Sequence, residues 1–251
     1  MIKEGKYIYC IIQNKEDRNF GSIGIGGRGD EVTTISYKNL AMVISNSPME
    51  KYMVSRENLL AHQKVIEEVM KDYTVLPVRF CTIASNADEI RNLLDKRYLE
   101  FKNLLRDMDN KIELGVKAWW KDMNIIFNEI VEENKEIKRF KEKISKESIE
   151  VSYMDRIEIG KMVQTALENK KEKEAKEIFN VLRKSAYNAK NVKVYGDNMI
   201  LNAAFLIDRA REKEFDTLMD NFDKKYGQRI KFNYVGPVPP YNFVNIVIYN
   251  D

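Results

Sequence analysis

The run MILNAAFLID, from Met199 to Asp208, limits the fold more than any other stretch of the chain. It is apolar at nearly every position, so a strand made from it has no face to give to water and belongs in the middle of a sheet. Just before it, VKVYG (Val192 to Gly196) alternates in polarity and reads as an edge strand. Upstream, ELGVKAWW (Glu113 to Trp120) is strand-like. Downstream, residues 210–226 carry Ala210, Phe215, Leu218 and Phe222 on one helical face, and IKFNYV (Ile230 to Val235) alternates again. Between the first and second of these strands, Lys121 to about Lys190 reads as helix, with 16 Lys or Arg against 14 Asp or Glu. Ile130, Ile137, Phe140 and Ile144 form one stripe, and Ala175, Ile178, Phe179, Leu182 and Ala186 another. Two helices packed side by side fit that pattern, with a break at Ser148 to Ser152. The half therefore predicts strand, helices, strand, strand, helix, strand. That is the βαββαβ order of a ferredoxin-like sheet with a long helical insertion at about 121–190 in its first crossover.

The first half has a related pattern. YIYCII (Tyr7 to Ile12) is a continuous apolar run of strand length, and VTTISY (Val32 to Tyr37) and LAMVIS (Leu40 to Ser45) flank a hairpin turn at Lys38 and Asn39. Ser55 caps a helix to about Asp72, for which Leu59, Leu60, Gln63, Ile66 and Met70 suggest the inner face. TVLPVRFC (Thr74 to Cys81) reads as an edge strand, because Pro77 has no amide proton to donate. A helix from about Asn86 to Met108 closes the half. MDNK (Met108 to Lys111) then interrupts two apolar patterns. The expected organisation is α+β in two domains: residues 1–110 as a mixed sheet domain, and 112–251 as a ferredoxin-like domain with the helical insertion.

Little of the chain points to catalysis. His62 is the only histidine, and Cys10 and Cys81 are the only cysteines, so no zinc set of Cys and His can be assembled. Both cysteines sit in apolar, strand-like runs and read as reduced core thiols. His62 lies on a helix among Ala61, Val65 and Ile66 with no partner nucleophile in view, which fits packing or hydrogen bonding. Gly24, Gly26 and Gly29 have the spacing of a dinucleotide loop, but a β-branched run follows where that motif needs a helix to open. Catalytic, cofactor and metal residues are therefore expected to be absent. A net charge of +3 argues against a polyanion binder, and the last strand, KFNYVG, lacks the aromatic set of an RNA-recognition sheet, so nucleic acid is not an expected partner. No apolar run reaches membrane-spanning length, and the N-terminus lacks signal-peptide features, so a cytoplasmic protein is expected. Candidate partner contacts are aromatic: Trp119 and Trp120, which face opposite sides of a strand, and Tyr241 and Phe243 in the proline-bounded segment GPVPPYNFV.

Several strings together carry a family resemblance. YIYCII, LAMVIS, HQKVIEEVMKDYTVLPVRFCTI (His62 to Ile83), ELGVKAWW, NAAFLIDR (Asn202 to Arg209) and VGPVPPYNFV (Val235 to Val244) are similar, in order and spacing, to the gas vesicle protein F and L family. The chain departs from that pattern at Cys81, where the family commonly has glycine in an FGT turn, and at Val238, where it commonly has tryptophan. The resemblance implies two α/β domains, the second a modified ferredoxin-like fold. It also implies a non-enzymatic accessory role in gas vesicle assembly, without cofactor. Its implied partners are the small hydrophobic shell protein and other vesicle accessory proteins, with the chain associated with the vesicle, of which some family members are retained as minor components. The competing reading is a ferredoxin-like small-molecule-binding regulator or enzyme.

Overall fold

The computed structural model describes residues 3–147 and 153–248. The chain divides into two compact units, one formed by residues up to Glu113 together with the segment from Gly236 onward, the other by Leu114–Val235. The span expected for the second domain, 112–251, therefore differs at its end. The tail packs on the first unit, where Val244 and Ile246 are buried and Ile246 pairs beside Val78.

In the first unit, β1 (Glu4–Gln13) lies between β3 (Leu40–Pro48) and β4 (Val75–Pro77), and β2 (Val32–Tyr37) pairs with β3 on its far side. Tyr7 to Ile12 are all fully buried, as a central strand requires. Burying each of these large side chains contributes roughly 2 kcal/mol. Pro77 sits on an edge strand opposite Cys10, where its missing amide proton costs no ladder bond. The glycine-rich loop turns back along β2. Thr34 donates its amide to Arg18, Phe20 to Val32 and Val32 to Gly21, so the loop covers that edge of the sheet. Gly26 (φ +89°) and Gly29 (φ +73°) supply the left-handed turns, and strand β2 follows instead of a helix.

Helix α1 (Arg56–Met70) starts at Ser55, whose side chain accepts the Asn58 amide. Its buried face is His62, Val65, Ile66 and Val69, so the inner face expected around Leu59 and Leu60 is displaced by about a third of a turn, and those two leucines are exposed. Cys81 does not close the strand expected over Thr74 to Cys81. It ends no strand: β4 stops at Pro77, a turn follows, and β5 (Ile83–Ala84) returns to β1. Cys81 stands in that turn at φ +64°, the left-handed region that glycine occupies freely. The single helix expected over 86–108 is two, α2 (Ala87–Lys96) and α3 (Tyr98–Met108), parted at Arg97.

In the second unit, β6 (Lys111–Trp120), β7 (Asn188–Asn191), β8 (Met199–Asp208) and β9 (Ile230–Val238) stand in the order β7-β8-β6-β9. That is the ferredoxin-like arrangement, with the first and third strands of the unit central. The insertion forms α4 (Met123–Glu133), α5 (Lys135–Glu147) and α6 (Tyr153–Arg183), and α7 (Glu212–Tyr226) is the second crossover. The run expected as two helices is thus interrupted at Asn134, whose side-chain oxygen caps the amides of Glu136 and Ile137. The break expected at Ser148–Ser152 lies outside the described residues. The edge strand is Asn188–Asn191 rather than Val192–Gly196, because its ladder to Ala203–Leu206 rests on backbone bonds that polar NAKN makes as well as any sequence.

The backbone at Cys81 gives a test. Cys81→Gly is expected to keep stability within about 1 kcal/mol of the parent or raise it, whereas the β-branched Cys81→Val loses about 2 kcal/mol, because only glycine enters the left-handed region without penalty. Urea unfolding of the two variants checks the order; equal effects would contradict it.

Candidate functional site

The two tryptophans divide as alternation demands. Trp120 is 1% exposed and faces the helices, where its indole N–H donates to Glu174 Oε2 at 2.7 Å. It is a core residue, and so little of it is exposed that it offers no surface for the partner contact expected of it. Trp119 points to the opposite face, half-buried, and lines an open depression of about 620 Å³ with Lys121, Asn198, Lys231, Phe232 and Asn233. In the first unit, the tail turns at Pro239 and Pro240, which accept amides from Tyr241, Phe243 and Val244. Asn242 donates through its backbone and its side chain to the buried Glu113 carboxylate, at 2.8 and 2.5 Å. Tyr241 is left one-third exposed and Phe243 half-buried. Trp119 thus belongs to the second unit, and Tyr241 and Phe243 belong to the first.

Two apolar surfaces went unnoticed in the sequence. Around the start of α1, Met53 (80% exposed), Val54 (79%), Leu59 (42%) and Leu60 (52%) form a patch of large side chains within eight residues. Hydrophobic spacing alone suggested core for the two leucines, so only the structure exposes them. In the second unit, Ile178 and Val181 of α6 and Leu218, Phe222 and Tyr226 of α7 line a groove of about 380 Å³. Burial of such surface is the common driving force of protein association, and exposed patches of this kind mark interaction sites.

Polar groups in the interior do structural work. The Cys81 amide donates to the Tyr7 hydroxyl (2.9 Å), which lies 3.0 Å from His62 Nδ1. His62 also bonds the Val78 carbonyl, so its other ring nitrogen carries the proton and Nδ1 accepts from Tyr7. The ring stacks on Tyr9, and burial lowers its pKa to about 4, which keeps it neutral near pH 7. Burial pushes the Cys10 thiol far up, away from a reactive thiolate. Among the described residues no group of His, Cys, Asp and Glu could hold a metal ion, and no helix is long and apolar enough to cross a membrane.

The second unit is fastened by one guanidinium. Arg229, in the turn before β9, bonds both oxygens of Glu129 on α4 (2.9 and 2.7 Å) and both of Glu174 on α6 (2.7 and 2.8 Å). Lys170 adds contacts to Glu129 and Glu133 at 3.0 and 2.7 Å. Hydrogen bonds from Arg229, and then from Lys170, hold the Glu129 carboxyl below the usual carboxylate range. No spacing in the sequence announces this clamp, because its members are 55 and 100 residues apart.

The sequence model of the family described as gas vesicle synthesis protein GvpL/GvpF matches residues 5–245. Gas vesicle protein F of Nostoc sp. (strain PCC 7120) is 27% identical over 205 residues, 80% of this chain and 83% of the relative. Gas vesicle protein F of Streptomyces sp. is 28% identical over 221 residues, covering 88% and 91%. The crystal structure of gas vesicle protein GvpF from Anabaena sp. PCC7120 superposes with a TM-score of 0.84 at 25% identity, over 98% of this chain and 100% of that one. That of GvpF from Microcystis aeruginosa gives 0.77 at 25% identity, over 95% and 98%.

Two interior features predict measurable behaviour. His62 titrates near 6.5 when unfolded and about 4 when folded, so protons favour the unfolded chain between those values. Its contribution is complete above about pH 6.5, and roughly 3 kcal/mol is lost as pH falls through 4. Denaturant titrations across pH should show this slope, and His62→Gln should flatten it. Arg229→Met is expected to destabilise the second unit by about 2 kcal/mol, by leaving two half-buried carboxylates without their partner. The loss should shrink as pH falls below the ordinary carboxylate range and through the lowered value at which the folded Glu129 takes up its proton. A pH-independent loss would contradict the clamp.

Proposed function

The chain belongs to the gas vesicle synthesis protein GvpL/GvpF family, and on that premise we propose that it is a non-catalytic assembly factor. It acts in the cytoplasm and at the growing gas vesicle, holding the small hydrophobic shell protein before incorporation and meeting other accessory proteins. The observation that carries this reading is the family match over residues 5–245, which spans both units. The chemistry agrees with it. A shell subunit that must bury apolar surface in a wall is an aggregation hazard before it arrives there, and a partner offering apolar surface of its own lowers that hazard. The patch of Met53, Val54, Leu59 and Leu60 is the first place to look for that contact, with the α6–α7 groove as the second.

An apolar contact releases few counterions, so titration of the purified shell protein, or a soluble fragment of it, should weaken by less than about tenfold between low and physiological salt. Replacing Met53 and Leu60 by Gln, which keeps the helix propensity that Leu60 supplies within α1, should weaken it by about tenfold through lost apolar area. A steep salt dependence would overturn the apolar reading and direct attention to the charged helices α4 to α6.

A further inference from the structure

Three of the four sheet edges are blunted in ways natural sheets use against unwanted pairing. The loop Arg18–Gly21 hydrogen-bonds along β2, and the tail at Ile246 pairs beside Val78 at the end of β4. Strand β7 is only four residues long. The fourth edge, β9, is different. It is a terminal strand whose last residues include Pro237, which has no amide to donate, but over the six residues Ile230–Val235 no segment among the described residues pairs with its outer side.

Beside the first six residues of that edge the exposed charge has one sign, and the carboxylate of Glu113, further along β6 on the same side, is buried and held by Asn242. Phe232 and Tyr234 turn toward α7, where Phe232 packs on Phe222 and the Tyr234 hydroxyl donates to Asp216 at 2.7 Å. Alternation therefore puts Lys231, Asn233 and Val235 on the opposite face, and all three are exposed. The neighbouring strand adds exposed Lys117 and half-buried Trp119 to the same face. No Asp or Glu occurs in Leu114–Lys121 or in Ile230–Val235.

We propose that the outer edge of β9 is a strand-addition site for an extended acidic segment of a protein partner. The segment pairs its backbone with β9, sets carboxylates against Lys231 and Lys117 beside Trp119, and places an apolar side chain next to Val235. Its alternate residues, on the side of Phe232 and Tyr234, are uncharged, since Asp216 already stands there. Main-chain pairing supplies the affinity and the alternating side chains supply the choice of partner. Lys117, Trp119 and Lys231 line neither the apolar patch nor the groove, and the salt response separates the two kinds of binding: strand addition to lysines weakens with salt, shell-protein binding by apolar contact does not.

The test uses the full chain and a fluorescein-labelled peptide of about six residues, a common strand length, in which Glu alternates with Thr and Val stands at the last outward position. Fluorescence anisotropy should show saturable binding. Lys117→Glu with Lys231→Glu should weaken it by at least about tenfold, since like charges now oppose the carboxylates. Two versions of the peptide, N-methylated on alternate amides, distinguish pairing from mere charge attraction. One blocks the edge that faces β9 and should lose binding, while the other should keep it. Absence of saturable binding, equal binding by the two methylated peptides, or indifference to the lysine reversals would overturn the proposal. So would a single-stranded oligouridine that binds more tightly than the peptide through the same lysines.

Discussion

Both sheets are organised around strands that accept water on neither face. In the first unit this is β1, whose Tyr7 to Ile12 are all fully buried; in the second it is β8, where Met199 to Leu201 and Ala203 to Ile207 are buried without alternation. A strand of this kind needs neighbours on both edges and cover on both faces. The rest of each unit answers that need. Paired strands flank β1 and β8, and the helices α1 and α6 lie over them. Even the interior polar groups follow from it, since a tyrosine or histidine drawn into such a core must find its hydrogen bonds there, as Tyr7, Tyr9 and His62 do.

What was legible in the sequence was what this constraint writes directly into side chains. The uniform runs of β1 and β8, the alternation of β9 and the opposition of Trp119 and Trp120 appear in the structure where the residues put them. What was hidden depends on backbone or on distance. NAKN forms an edge strand by main-chain bonds alone, and Cys81 turns the chain in a conformation its side chain does not advertise. Leu59 and Leu60 carry the composition of a core but lie one step around the helix from it. Arg229 meets carboxylates far away in sequence. The candidate surfaces were therefore the least legible part: an apolar side chain looks the same in sequence whether a neighbour covers it or not.

The two units solve opposite problems with charge. The first buries few ionisable groups: tyrosines, His62 and Cys10 held neutral by burial, and the Glu113 carboxylate, which accepts two bonds from Asn242. The second carries a long, highly charged insertion, and anchors it through one half-buried arginine shared between two carboxylates. A planar guanidinium suits that position because it satisfies two carboxylates at once with fixed geometry, which an ammonium does not.

The return of the tail to the first unit has a consequence for the order of events at the ribosome. Residues up to Glu113 are made first, but the segment that pairs beside Val78 and the asparagine that binds the Glu113 carboxylate follow only after the entire second unit has been synthesised. At a typical translation rate of about 5–20 residues per second, that leaves the first unit incomplete for roughly 6 to 25 seconds. For that interval the nascent chain presents β4 without its cover, and the second unit, whose sequence is uninterrupted, is free to fold first.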